Sequence, residues 1–211
     1  MVGGAAAMRF RVARFAAAAL IGCSGRGIPE LAGDLGGSLL PAAVPRPSFG
    51  LTTVAGEPYE FRARTAGRLT LLFFGYTHCP DVCPATMANL GAVLRGLSSS
   101  ERALIDAIFV TTDPERDSSA VLGPWLANFE PNIIGLVGST EALRAAQLAA
   151  GIGVAVREDT PSGGYAVSHA AQVLVYSPDD SGNISYPFGT RQAQWAVDLP
   201  KLLERWKGSA R

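Results

Sequence analysis

Residues 69–84 read LTLLFFGYTHCPDVCP. The first eight, Leu69 to Tyr76, form an unbroken apolar run, the pattern of a strand buried on both faces at the centre of a sheet. Two cysteines follow, Cys79 and Cys83, and each precedes a proline. Pro80 and Pro84 bias the cysteines before them away from helical backbone angles. Pro84 suits the first position of a helix, where its missing N–H costs nothing. Met87, Leu90, Leu94 and Leu97 then recur at helical spacing, which predicts a helix over Pro84 to Leu97 with one face in the core. The segment therefore reads as strand, cysteine loop, helix, with Cys83 near the helix N-cap.

The flanking sequence supplies the rest of an α/β domain. Phe49 to Phe61 reads as a hairpin turning at Gly56-Glu57-Pro58. Ile105 to Thr111 and Ile133 to Val137 are short buried strands. Ser119 to Phe129 is a helix with Val121, Leu122, Trp125, Leu126 and Phe129 inward and Pro124 inside it. Ser139 caps a helix that ends near Gly151. Ala171 to Tyr176 and Asn183 to Pro187 flank a turn at 178–182, and Asp198 to Lys207 closes the chain as a helix. Strands alternating with helices, then a hairpin and a helix, predict a central mixed sheet flanked by helices. With a cysteine loop between a central strand and a helix, the order suits a thioredoxin-like fold carrying an N-terminal β-hairpin.

Three segments are expected: a signal over 1–23, a tether over 24–47 and a folded domain over 48–211. Arg9, Arg11 and Arg14 precede Phe15 to Gly22, an apolar run far short of the ~20 residues that span a bilayer. That is the layout of an export signal, starting at Met1 or Met8. Leu20-Ile21-Gly22-Cys23 resembles the lipobox of bacterial lipoproteins, which predicts lipid attachment at Cys23 and a place on the extracytoplasmic face of a bacterial cell membrane. Lipidation also leaves an even pair of thiols in an exported chain, which holds only three cysteines. The Gly-, Pro-, Ala- and Ser-rich stretch from Ser24 reads as the tether. Lys+Arg and Asp+Glu number 18 each, with no basic run, so the composition points away from nucleic acid.

The chemistry rests on very few groups, since the chain has two histidines. Unpaired N–H groups at the helix mouth favour thiolates and predict lowered thiol pKa values, with Asp81 opposing by like charge. Two such thiolates can close a disulfide or hold a soft metal. His78 adjoins Cys79 in an extended segment and is expected to point away from it, as a polar loop residue. His169, just before the strand at Ala171, is the better third ligand, because the topology brings it toward the cysteines. Two thiolates and an imidazole suit Cu(I) and Cu(II); structural zinc would need a fourth ligand. A thiol–disulfide exchange role remains open on the same residues, whereas a peroxidatic Thr-x-x-Cys arrangement is absent, Thr77 standing two before Cys79. Asp113-Pro114 is expected to form a turn and Asp117 to cap the next helix.

Three stretches in order, Phe74 to Pro84, Thr112-Asp113-Pro114-Glu115-Arg116-Asp117 and Val167-Ser168-His169, resemble the Sco/SenC family of copper-binding, thioredoxin-like assembly factors. The resemblance runs from about Phe49 to the C-terminal helix. It implies one copper held by Cys79, Cys83 and His169. It implies delivery of copper, or reduction of thiols, at the binuclear copper site of cytochrome c oxidase subunit II or another copper acceptor. Ser168 stands where many relatives carry Asp, a departure that touches the orientation of His169 and not its place as a ligand.

Overall fold

The computed structural model describes residues 1–3, 35–40, 44–161, 163–180 and 183–206; Cys23 and most of the expected signal and tether lie outside them. The strands are β1 Ser38–Leu39, β2 Gly50–Thr53, β3 Pro58–Glu60, β4 Leu69–Gly75, β5 Ile105–Thr111, β6 Ile134–Val137, β7 Val156–Asp159, β8 Tyr165–Ser168, β9 Val173–Tyr176 and β10 Ile184–Tyr186. The helices are α1 Phe61–Thr65, α2 Val82–Gly96, α3 Ser99–Arg102, α4 Ser119–Ala127, α5 Thr140–Ala149 and α6 Gln192–Trp206. Eight strands form one sheet in the order β1-β10-β9-β4-β5-β6-β2-β3, while β7 and β8 pair separately. The sheet is mixed: β4, β5 and β6 run parallel, and β9 pairs antiparallel to β4.

All seven residues of β4 are buried, because its alternating side chains feed two cores. Leu69, Leu71 and Phe73 join Leu90 and Leu94 of α2, Leu122 and Leu126 of α4, and Trp195, Leu199 and Leu202 of α6. Leu72 and Phe74 face the opposite core, with Phe61 of α1 and Leu143 and Ala146 of α5. The α/β, thioredoxin-like architecture with helices on both faces is the one the sequence predicts, and the β2–β3 hairpin is its N-terminal addition.

Several details depart from expectation. Val121 is 42% exposed rather than inward. α6 begins six residues ahead of Asp198, since Trp195 is buried and Gln194 Nε2 donates to Asp198 Oδ1 at 2.8 Å one turn on; Pro200 is accommodated inside the helix. In the separate β7–β8 hairpin all four β7 residues are exposed and β8 turns only Tyr165 and Val167 inward, which hides it from a pattern search.

The folded unit also takes in part of the stretch expected to be tether. Ser38 and Leu39 pair with Ser185 and Ile184. Arg46 is only 2% exposed. Its guanidinium donates to Asp180 Oδ1 at 2.9 Å, Thr65 O at 2.9 Å, Thr70 Oγ1 at 2.7 Å, Arg68 O at 3.1 Å and Ser177 O at 2.8 Å. A charge this deep is tolerated because every direction of its fork meets an acceptor. Arg46→Met is expected to lower unfolding stability in urea by about 3 kcal/mol or more, because it strands the buried acceptors.

Candidate metal centre

β4 ends at Gly75, and the chain turns there into the cysteine loop. A Cβ at Gly75 would lie 2.7 Å from Cys83 Sγ and 2.7 Å from the Phe73 ring, so glycine is what lets the sulfur settle on the strand end. Helix α2 starts earlier than the prolines suggest. Its N-cap is Asp81, whose Oδ1 accepts from Val82 N at 2.6 Å. Cys83 consequently lies inside the first turn, not at the cap, and adopts helical geometry despite preceding Pro84. Its N–H donates to Cys79 Sγ at 3.4 Å, so one orphan donor of the helix mouth is turned on the outer sulfur.

Cys79, Cys83 and His169 come together: their ligand atoms all lie within 4.8 Å of one another. Both cysteines are free and buried, and His169 is half-buried. His169 Nε2 lies 3.4 Å from Cys83 Sγ. Its Nδ1 is 2.9 Å from the Ala170 carbonyl, which assigns the ring proton to Nδ1 and leaves the Nε2 lone pair facing the sulfurs. A backbone carbonyl therefore does the orienting in place of the side chain that Ser168 lacks. Tyr76 holds the ring edge-on, centroids 5.5 Å apart at 88°, with Phe73 at 6.1 Å and 90°. His78 is exposed and its Nδ1 lies 3.0 Å from Thr77 Oγ1, away from the cluster.

Burial decides the protonation states. It pushes the Cys83 thiol well above its ordinary range, outweighing the lowering that the helix mouth leads one to expect. Burial also holds His169 below its usual value, so the imidazole is neutral at physiological pH. Loading a cation here would displace the Cys83 proton while finding the imidazole already free.

The acidic loop after β5 braces the cysteine loop. Asp117 is 1% exposed and accepts from Thr77 N at 3.0 Å, from the Thr77 hydroxyl, and from Thr111 Oγ1 at 2.8 Å. It does not cap α4, whose N-cap is Ser118. The turn expected at Asp113-Pro114 is present, with Asp117 N donating to Asp113 O at 2.9 Å. Gly75 and Tyr76 escaped the sequence reading as site residues. A glycine closing an apolar strand just ahead of the cysteines was the available signal for the first; nothing local marked the second.

The sequence model of the SCO1/SenC family matches residues 40–204. The chain belongs to the SCO1/SenC family. The SCO1/SenC domain is 33% identical over 143 residues to the mouse mitochondrial protein SCO2 homolog, an alignment covering 67% of this chain and 56% of that protein; the chain thus spans little more than half the length of this relative. Among solved SCO1/SenC structures, copper-bound ScoI of Bradyrhizobium japonicum superposes with a TM-score of 0.67 at 31% identity, covering 76% of this chain and all of that one. Apo Sco1 of Thermus thermophilus gives 0.69 at 31% identity, covering 80% and 97%.

Burial of His169 has a measurable consequence. A folded pKa below the unfolded value means that His169 contributes stability above pH 6.5 and loses it as pH falls toward the folded value. In the metal-free protein the His169 ring resonances are expected to titrate with a midpoint below 6.5, as followed by NMR; a midpoint at or above that value contradicts the burial argument.

Proposed function

We propose that this chain is a membrane-tethered, extracytoplasmic copper chaperone that delivers copper to, or prepares the thiols of, the binuclear copper site of cytochrome c oxidase. The observation that carries this is the convergence of Cys79, Cys83 and His169 within 4.8 Å. Two thiolates supply the soft donors that retain Cu(I), and the imidazole adds the borderline donor that accommodates Cu(II). A set of three protein ligands suits a cargo that must leave again, because it holds the ion with fewer donors than the four of a structural zinc site. Copper is the substrate here, and the copper-bound state of the B. japonicum relative supports that identity.

A second reading, thiol–disulfide exchange without copper delivery, draws on the same two free sulfurs. The Cys83 N–H bond to Cys79 Sγ favours Cys79 as the sulfur that meets a partner. The two readings meet in one constraint: an oxidised pair offers no thiolates, so copper loading requires the reduced state.

Tethering rests on Cys23 as the lipid attachment point, preceded by its short apolar run. No helix among the described residues is long and apolar enough to cross a membrane.

Titration with copper separates the ligand roles. His169→Ala is expected to weaken Cu(II) binding by roughly tenfold or more and to alter its spectrum, while Cu(I) stays bound through the two thiolates. Unchanged Cu(II) affinity and spectrum in that variant would sink the chaperone reading. For the tether, Cys23→Ser is expected to move the protein from the membrane fraction to the soluble fraction; retention in the membrane refutes lipid attachment at this position.

A further inference from the structure

The three ligands reach the site from two directions: the cysteines leave β4, while His169 lies between the β7–β8 hairpin and β9, which pairs with β4. Cys79 and Cys83 belong to the loop and helix that leave β4. His169 follows β8, and the β7–β8 hairpin is separate from the eight-stranded sheet. β9 anchors the chain four residues after His169 by pairing with β4, so the approach to His169 from the other side depends on what fixes the hairpin against the body.

Side chains of the body reach across to the hairpin. Arg116, in the loop after β5, donates from Nη1 to the Tyr165 carbonyl at 3.1 Å. Its guanidinium carbon lies 3.8 Å from the centre of the Tyr165 ring and 5.6 Å from that of Tyr76. Its Nε donates to Asp113 Oδ2, and the other oxygen of that buried carboxylate accepts from Tyr165 Oη at 2.9 Å. Arg116, Asp113 and Tyr165 thereby close a ring of contacts. Arg157 of β7 also stands 3.8 Å from the Tyr165 centroid. Two cations that close to one ring must take opposite faces, so Tyr165 is sandwiched between a guanidinium from the body and one from its own hairpin. Arg157 in turn pairs with Glu115 at 2.9 Å.

The link to the ligands is short. Tyr165 opens β8, and β8 ends at the residue before His169. Two residues beyond Tyr165, Val167 N donates to Tyr76 Oη at 3.4 Å, and the Tyr76 ring bears edge-on against His169. Tyr76 itself lies three residues before Cys79.

We propose that Arg116 is a positioning residue for the metal centre: clamped by Asp113 and stacked on Tyr165, it latches the β7–β8 hairpin to the body and sets the reach of His169 to the two sulfurs. The inference rests on the three-ligand reading of the site. The latch needs a planar fork that can stack and donate at once, which lysine cannot supply. The eight-stranded sheet has no strand pairing with the hairpin, so losing the latch loosens the approach to His169 from β8 while β9 stays paired with β4 and the domain remains intact.

The test compares Arg116→Gln, Arg116→Lys, Tyr165→Leu and His169→Ala with the unaltered protein, using Cu(II) titration and the nitrogen hyperfine splitting of the bound Cu(II) by electron paramagnetic resonance. Both Arg116 variants are expected to keep the far-ultraviolet circular dichroism of the parent. They should bind Cu(II) roughly tenfold or more weakly, with the histidine nitrogen signature diminished. In the metal-free protein their Val167 amide should exchange with deuterium faster than in the parent. Tyr165→Leu should reproduce these changes, and it decides the matter if an Arg116 variant fails to fold. Parental affinity and nitrogen signature in Arg116→Gln, while His169→Ala loses both, overturn the latch alone. Full recovery in Arg116→Lys overturns the fork-and-stack account. A parental signature in His169→Ala overturns the ligand set, and the latch with it.

Discussion

β4 is hydrogen-bonded along both edges, parallel to β5 and antiparallel to β9, and its side chains fill both cores. A strand held this way has no freedom to slide, because a shift of one residue would exchange Phe73 and Phe74 between the two cores. Its end at Gly75 is therefore a fixed point, and Cys83 Sγ seats directly on it. From that point the Tyr76 ring, the cysteine loop and the first turn of α2 all take their positions. β9 carries the same rigidity to the other side: Val173 pairs with Phe73, so His169, a few residues ahead of β9, is delivered to the same end of the sheet.

Electrostatics follows from that burial. A sulfur placed at a helix mouth ordinarily gains as thiolate, yet Cys83 sits within the first turn and is fully buried, and desolvation wins. The Cys83 N–H is spent on the more exposed Cys79 sulfur. The pair is thus asymmetric, an outer sulfur that receives a backbone donor and an inner one that keeps its proton until something displaces it.

The strand–loop–helix core was legible because Leu69 to Tyr76 is apolar throughout and Met87, Leu90 and Leu94 fall on one helical face. Cys79, Cys83 and His169 were legible from residue type and topology together. What escaped was set by distant contacts. The start of α2 was misplaced because Asp81 supplies the cap, a competitor to the proline rule. The role of Asp117 was misassigned because its partners, Thr77 and Thr111, come from two other segments. Arg46 looked like linker because its acceptors are scattered from Thr65 to Asp180. The β7–β8 hairpin left little pattern because β7 is exposed throughout and β8 turns only Tyr165 and Val167 toward the core, the rest of its hold coming from charge and ring stacking.

The register of β1 fixes which end of the sheet the segment before it reaches. Ser38 is level with Ser185, Ser185 with Leu174, and Leu174 with Leu72. β1 runs antiparallel to β10, which places residues 35–37 toward the Gly75 end of the sheet. The segment just ahead of β1 and the cysteine loop therefore lie toward the same end of the sheet, with β10 and β9 standing between β1 and β4.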